Sequence, residues 1–213
     1  MPAGSTQQGT CLGVSFYRSR HACIRQLKKL HSPSTFGYRV WGSCWLLMDY
    51  LKTLGVPAGL RVMEVGCGWG LAGIFCAREL GAEVTCVDYD EEVFHYLRLH
   101  AELNQVEVAT LNKPFEELST QDLEPVDLLI GADICFWDEM PANLLMLIER
   151  ALACGVLRII IADPGRSSFG DLAAICQADY GANLFTLSVR KPHIITGRLL
   201  VINNSPQARL NCA

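Results

Sequence analysis

Short apolar runs alternate with amphipathic stretches through most of the chain, and this alternation predicts strands joined by helices. Apolar runs of strand length occupy residues 61–65, 83–87, 106–109, 126–130 and 157–161. Between the first two runs, Leu71, Ile74 and Phe75 recur at helical spacing. Strands that alternate with helices pair in parallel through right-handed crossovers. The pattern predicts a doubly wound α/β fold, which binds ligands at the carboxyl ends of its strands.

The two ends of the chain complete this picture. Helices are predicted over 20–31 and 43–53 before the first strand, and over 139–153 and 168–178 later in the chain. Leu184–Val189 and Leu199–Ile202 are expected to pair as a hairpin, and residues 1–12 to be disordered. We therefore divide the chain into a basic N-terminal arm with a helix, residues 1–37, and one domain, residues 38–213.

Composition excludes several classes of protein. Half of the 213 residues are apolar and 19% are charged, which excludes a chain that is disordered as a whole. No uncharged apolar run is long enough to cross a bilayer, and the net charge of −4 argues against nucleic acid as a partner. Six basic residues and no acidic one precede Asp49. We expect a cytoplasmic monomer without membrane contact; a mitochondrial targeting sequence is the alternative for this basic start.

Cysteine and histidine are present without the spacings that usually bind metals. None of the ten cysteines forms a C-x-x-C pair, and several lie in apolar runs, where a free thiol packs as a small apolar group. This usage predicts a reducing compartment without disulfides. The five histidines show no metal-ligand or catalytic-triad spacing, so no metal site is predicted.

The most informative segment is the glycine-rich loop after the first strand of the predicted sheet. Gly66 and Gly68 allow a tight turn and a close approach of the backbone to a ligand. Asp88 follows the next strand, where a carboxylate can accept hydrogen bonds from ribose hydroxyls. The alternatives for Asp88 are a solvated acid in a loop and a cap for the next helix. The segment predicts a cofactor that contains adenosine, either a dinucleotide or S-adenosylmethionine.

Two features favour S-adenosylmethionine over a dinucleotide. The dinucleotide pattern G-x-G-x-x-G needs a third glycine where this chain has Leu71; here the third glycine is Gly70. Glu64 places a negative charge just before the loop, which would repel a pyrophosphate and attract the ammonium of a methionine group.

This segment resembles the first motif of class I, seven-strand S-adenosylmethionine-dependent methyltransferases, and the resemblance extends over about residues 38–203. Within that class, Trp41-Gly42-Ser43 and the helix after it resemble the protein-lysine methyltransferase-like and nicotinamide N-methyltransferase-like branch. The resemblance implies a Rossmann-like, mostly parallel seven-stranded sheet. It implies that S-adenosylmethionine is bound by Trp41, Glu64, Gly66, Cys67, Gly68, Asp88, Tyr89, Asn112 and Ala132. The alternative for Trp41 is an ordinary core residue.

The reaction centre is predicted at Asp133-Ile134-Cys135-Phe136, which resembles the Asp-x-x-Phe/Tyr motif of the same branch. The resemblance implies that Asp133 and Phe136 are catalytic, Asp133 facing the substrate amine and Phe136 forming a wall of the pocket. An amine must be neutral to attack a methyl group, and a desolvated aromatic pocket makes neutralisation less costly. The alternative for Asp133 is a helix N-cap or an acid that stabilises a loop, and the alternative for Phe136 and Trp137 is a core position.

Two further places are less clear. Asp163-Pro164-Gly165-Arg166 resembles a stretch of the lysine methyltransferases that act on the electron-transfer flavoprotein β subunit, but a simple turn explains it equally well and the target of Arg166 stays open. Where this branch often has Asp-Trp beside the adenine, the chain has Asn112 and Lys113, which weakens the match.

The leading hypothesis is an S-adenosylmethionine-dependent N-methyltransferase that acts on a lysine of a protein. The alternatives are methylation of a small-molecule amine, an inactive interaction module that binds the cofactor, and a nicotinamide-dependent oxidoreductase. A substrate site closed over by the N-terminal arm would favour a small acceptor, and an open acidic groove would favour a protein.

Overall fold

The computed structural model describes residues 7–204 except for 35, 56 and 138. Its centre is a seven-stranded sheet in the order β5-β4-β3-β6-β7-β9-β8. The parallel strands are β3 (Arg61–Val65), β4 (Glu83–Asp88), β5 (Ala109–Asn112), β6 (Leu128–Ala132) and β7 (Arg158–Asp163). The antiparallel strands β8 (Asn183–Val189) and β9 (Ile195–Asn203) form the far edge, with β9 paired to β7. The predicted mostly parallel sheet and its terminal hairpin are confirmed.

Helices cover both faces of the sheet. The elements are α1 (Ala22–Leu30), α2 (Ser43–Leu54), α3 (Leu71–Glu79), α4 (Val93–Asn104), the short α5 (Thr120–Leu123), α6 (Met140–Ala153) and α7 (Ser167–Tyr180). One apolar core lies between the sheet and α2, α3 and α4; the other lies between the sheet and α6 and α7. No helix among the described residues is long and apolar enough to cross a membrane.

The N-terminal part differs from the prediction. Residues 1–6 lie outside the described residues, but the predicted disorder is wrong for the residues after them. Gln8–Cys11 and Val14–Tyr17 pair as an antiparallel hairpin, β1 and β2. The side-chain amide and carbonyl of Asn104 hydrogen-bond both backbone groups of Ser15, and Phe16 packs on Trp45 with ring centres 4.9 Å apart. These contacts hold the hairpin against α4 and α2.

The third strand of the sheet begins later than predicted. Residues 106–109 were expected to form it, but β5 is Ala109–Asn112. Gln105 ends α4 in the left-handed conformation, and the Val106 N–H donates to the Ala101 carbonyl. The backbone after α4 therefore hydrogen-bonds the carbonyl groups at the end of the helix instead of pairing with a neighbouring strand.

Candidate functional site

The loop between β3 and α3 bends sharply at three alternate glycines. Gly66, Gly68 and Gly70 have φ angles of +60°, +52° and +66°, a region that glycine adopts without strain. A Cβ on Gly66 would lie 2.5 Å from a methyl group of Ile134, whereas a Cβ on Gly68 would meet no atom within 4 Å. Gly68 therefore faces open space at the carboxyl end of the sheet.

Asp88 ties this loop to the neighbouring strand. Its Oδ2 accepts a hydrogen bond from the Gly68 N–H at 2.9 Å, and its Oδ1 accepts one from the Asp90 N–H at 3.1 Å. The side chain is buried, and burial raises the pKa of the carboxyl group. Asp88 lies where the sequence predicted it, beside the loop and next to the same open space.

The structure does not place Glu64 where the prediction requires it. Side chains alternate along β3, and Glu64 points with Val62 towards α3, away from the cavity described below. Its Oε2 accepts a hydrogen bond from the Gly73 N–H at 2.8 Å. Burial raises the pKa of this carboxyl group to about 8, so much of it carries a proton at neutral pH. The charge that was expected to attract an ammonium group is behind the loop and largely neutralised.

Cys67 and Asn112 also lie outside the cavity lining. Cys67 is buried beside Cys86, and burial raises the pKa of its thiol. The side-chain amide of Asn112 donates to the carbonyls of Asp88 and Tyr89, each at 3.0 Å. Asn112 thus holds the end of β4, and the residue after it, Lys113, reaches the cavity instead.

A cavity of about 450 Å³ opens at the carboxyl ends of β3, β4 and β6. The structure brings eight of the predicted site residues to its wall: Trp41, Gly66, Gly68, Asp88, Tyr89, Ala132, Asp133 and Phe136. Sequence reasoning missed other lining residues, among them Phe36, Asp90, Lys113, Phe115, Glu116 and Met140. Carboxylates outnumber ammonium groups on this wall, so the cavity favours a cationic ligand over a polyphosphate.

Residues 31–34 and 36–41, which we call the covering segment, close one side of this cavity. They connect α1 to α2, and Phe36, Gly37 and Trp41 line the cavity. The hydroxyl groups of Ser34 and Tyr89 are hydrogen-bonded at 2.9 Å, and the Ser34 N–H donates to the Asp90 carboxylate.

Two indole groups hold the middle of the covering segment. The Trp69 indole N–H donates to the Gly37 carbonyl at 3.0 Å, and the Trp41 indole N–H donates to the Phe36 carbonyl at 2.9 Å. Trp41 thus lies at the cavity, as predicted, and also stabilises the turn that carries Phe36.

Aromatic rings form the wall under the covering segment. Phe36 lies nearly parallel to Phe136, with ring centres 4.3 Å apart and planes inclined by 6°. Trp41 meets Phe136 edge-on at 5.3 Å, and the Arg166 guanidinium lies 4.0 Å from the centre of the Phe136 ring. Because Phe36 and Arg166 both lie close to this ring, we place them on its opposite faces. Phe136 therefore forms a wall of the cavity, as predicted.

Asp133 holds two elements together at the end of β6. Its Oδ2 accepts a hydrogen bond from the Ser43 N–H at the start of α2, at 2.8 Å, and its Oδ1 accepts one from Arg166 at 3.1 Å. The residue is left-handed, with a φ of +59°. Both oxygens thus have protein partners, and a role in orienting an acceptor stays a prediction. Asp133 is not itself the N-cap of a helix, since Gly42 occupies that position in α2, but its carboxylate accepts the first N–H of that helix.

The structure answers the question of what Arg166 contacts. Its two terminal nitrogens reach two carboxylates, Asp163 at 2.6 Å and Asp133 at 3.1 Å. Asp163 is completely buried and also accepts the backbone N–H groups of Gly165 and Arg166, each at 2.7 Å. Arg166 is therefore the common partner of the acidic side chains at the ends of β6 and β7.

Comparisons with known proteins agree with this fold. Residues 62–155 match the family model described as "Methyltransferase domain". A ubiquinone biosynthesis O-methyltransferase from Alkalilimnicola ehrlichii is 33% identical over 136 residues, which are 63% of this chain and 54% of that protein. The chain thus spans little more than half the length of this relative.

Solved structures of methyltransferases share the fold. An rRNA methylase from Streptococcus thermophilus has a TM-score of 0.57 and 16% identity, over 77% of this chain and 98% of that one. The tRNA (uracil-54, C5)-methyltransferase from Pyrococcus abyssi, solved with S-adenosyl-L-homocysteine, has a TM-score of 0.59 and 17% identity, over 91% of this chain and 42% of that one. The predicted methyltransferase fold is confirmed, and these matches agree with the prediction of an enzyme that uses S-adenosylmethionine.

The comparisons correct the predictions about the acceptor. They do not support the protein-lysine and nicotinamide branch, since the relatives named here are a ubiquinone biosynthesis O-methyltransferase and RNA methyltransferases. The expectation of a protein partner, with nucleic acid excluded, is contradicted by the same names. Small molecules and nucleic acids are the acceptor classes to which these proteins point.

Proposed function

We propose that this chain is an S-adenosylmethionine-dependent methyltransferase whose acceptor is a small molecule with an apolar part. The observation that carries the proposal is the covering segment, which closes one side of the cavity with Phe36 and Trp41. A partly open cavity of about 450 Å³ suits small ligands, because pockets of roughly 300–1,000 Å³ bury most of the surface of a small molecule.

The residues present fit the cofactor. Gly68 leaves the space beside its Cα open, so that a ligand can approach the backbone there. Asp88 lies next to that space at the end of β4, where ribose hydroxyls can reach its carboxylate. Bound S-adenosylmethionine would supply a methyl group on a positively charged sulfur, which the carboxylates of the wall favour.

The aromatic wall indicates the polarity of the acceptor. Phe36, Trp41 and Phe136 are in mutual ring contact, so this part of the cavity presents an apolar aromatic surface. Methyl transfer is a displacement in line with the bond that breaks, so holding the acceptor in position supplies much of the catalysis. The proposed role of Phe136 is to support Phe36 and Trp41, so that this aromatic wall contacts the acceptor while the covering segment excludes water. An amine and a hydroxyl are both suitable nucleophiles; the sequence predicted an amine, and the relative is named as an O-methyltransferase.

The test is methyl transfer from labelled S-adenosylmethionine to a cell extract divided into a dialysable fraction, total RNA and protein. We expect label in the dialysable fraction, and calorimetry should show binding of S-adenosylhomocysteine but not of NADH. Label only in RNA or only in protein would disprove the proposed acceptor. The absence of both transfer and S-adenosylhomocysteine binding would disprove the methyltransferase itself.

A further inference from the structure

Three potential metal ligands meet where α1 ends beside the start of α4. His31 follows the last residue of α1, Glu92 precedes α4, and His95 lies in its first turn. The Nδ1 of His31 is 3.2 Å from the Oε2 of Glu92, and the two imidazole rings are stacked with centres 3.4 Å apart. One ligand atom from each side chain lies within 4.8 Å of the other two, and all three residues are partly exposed.

We propose that His31, Glu92 and His95 bind a divalent transition-metal ion such as Zn²⁺ or Co²⁺. Two imidazoles and one carboxylate form a ligand set that suits zinc, whereas Mg²⁺ and Ca²⁺ prefer oxygen ligands. Ligands about 2.0–2.1 Å from a tetrahedral ion lie roughly 3.3 Å from one another. The His31–Glu92 separation already matches that value, and partial exposure leaves room for water as a fourth ligand.

Loading the site requires one imidazole to turn. The ring planes are within 18° of parallel, so their in-plane lone pairs do not yet converge on one point. Among the described residues, the stack on His31 is the one ring contact of His95, and no hydrogen bond holds its imidazole. The backbone of His31 is fixed instead, since its carbonyl accepts the Tyr96 hydroxyl at 2.9 Å. We therefore expect His95 to tilt towards the ion while His31 keeps its place.

The position of the site gives the ion a structural consequence. His31 is the first residue of the covering segment, and α4 begins just after Asp90, to which Ser34 is hydrogen-bonded. A bound ion would join the end of α1 to α4 and so fasten the covering segment at its first residue. The proposal does not depend on the identity of the acceptor.

The experiment is titration of the metal-free full chain with Zn²⁺ by calorimetry and with Co²⁺ by visible absorption. We expect one equivalent to bind, with a Co²⁺ spectrum free of thiolate charge-transfer bands, and a higher melting temperature with metal. His95→Ala should weaken binding by roughly tenfold or more, since even indirect supporting residues of metal sites contribute 10–100-fold. His193→Ala, which changes an exposed histidine far along the chain, should bind as the wild type does.

Three results would overturn the proposal: no binding to the wild type, unchanged affinity in His95→Ala, or thiolate bands that assign the ion to cysteine. Loss of folding is checked by comparing the melting temperatures of the variants in EDTA. If His95→Ala is unstable there, His31→Gln provides the same affinity measurement, and unchanged affinity in it counts equally against the site.

Discussion

The two sides of the cavity are built in different ways. On one side, which we call the loop rim, Gly66–Gly70 and Asp88 are joined through backbone N–H groups. On the other side, which we call the arginine rim, Asp133 lines the cavity and shares Arg166 with Asp163, two residues that do not line it themselves. The loop rim therefore depends on backbone conformation, whereas the arginine rim depends on one guanidinium.

This difference determines how each side responds to substitution. A hydrogen bond donated by a backbone N–H is kept when a side chain is replaced, as long as the loop keeps its conformation. Removal of Arg166 instead leaves two buried carboxylates without their cation, which is far more costly than losing an exposed ion pair. The arginine rim should be the more sensitive to a single substitution.

The largest effect is expected for Arg166→Met. We expect it to lower the free energy of unfolding by about 3–5 kcal/mol, because Asp163 is completely buried and Asp133 nearly so. Urea denaturation measures the change. Arg61→Ala is the matched control, since Arg61 binds Asp127 through two nitrogens at the surface, and its loss should be much smaller. Equal losses in both variants would remove the distinction between the two rims.

Glu64→Gln tests the loop rim from behind. Folded Glu64 keeps its proton up to a pKa of about 8, whereas the unfolded side chain releases it near 4.5. Unfolding thus releases a proton between these values, and the wild type should lose stability as the pH rises through this window. The free energy of unfolding of the variant lacks this dependence on pH. Relative to that of the wild type, it should therefore rise by on the order of a few kcal/mol between pH 5 and pH 9.

Cofactor affinity in the same variant separates two roles of Glu64. We expect S-adenosylhomocysteine to bind the Gln variant as it binds the wild type, because Glu64 lies behind the loop. Calorimetry at pH 7 measures this affinity. A large loss there would restore the role predicted from the sequence, in which the carboxylate attracts an ammonium group.

Gly68→Ala separates backbone strain from access to the cavity. A left-handed alanine costs roughly 1–2 kcal/mol of stability. Gly181→Ala is the matched control, since Gly181 is also left-handed, with a φ of +62°, and a Cβ there likewise meets no atom within 4 Å. We expect similar losses of stability, but a loss of cofactor affinity of roughly tenfold, about 1.4 kcal/mol, in Gly68→Ala alone. Unchanged affinity would mean that the cofactor does not approach Gly68.

The smallest effect is expected for Tyr89→Phe, which removes the hydrogen bond between Tyr89 and Ser34. That bond is exposed and joins two neutral groups, so its loss should cost about 0.5–1 kcal/mol at most. We expect a faster release of S-adenosylhomocysteine in stopped-flow measurements, because the covering segment opens more often. Thr53→Val is the control, since it removes an exposed hydroxyl hydrogen bond on α2, away from the covering segment.

Apolar patterning predicted most of the sheet because its strands are buried on both faces. Ile159, Ile160 and Ile161 in β7 are all buried. A continuous apolar run of this kind predicts a buried strand even when the neighbouring strands are unknown. The pattern did not predict β5, because most of its residues are exposed and its apolar pattern is weak. It did not predict β1 and β2 either, because contacts with Asn104 and Trp45, far along the chain, hold them in place.

The site was predictable where chemistry follows a strand end. All five of these residues lie at the end of a strand of the sheet or within four residues after it, and all line the cavity: Gly66, Gly68, Asp88, Asp133 and Phe136. The orientation of a side chain is harder to predict. The role of Glu64 could be judged only by knowing on which face of β3 its side chain lies. A sharper signal was available in the alternation along β3, since Glu64 shares its face with buried Val62.

The covering segment could not be predicted in the same way. Its aromatic side chains precede the sheet in the chain, and nothing local to them indicates a cavity. The stacking of Phe36 on Phe136 joins residues that meet only in the folded chain. The same holds for His31 and His95, whose approach depends on how α1 docks on α4.

Ser34 fastens the covering segment to parts of the chain that are 55 and 56 residues away, at Tyr89 and Asp90. Because these hydrogen bonds are exposed, we expect the segment to open at a lower free energy than the buried strands of the sheet. Ligands can then enter and leave by local detachment of a short strap, while the strands beneath it stay paired.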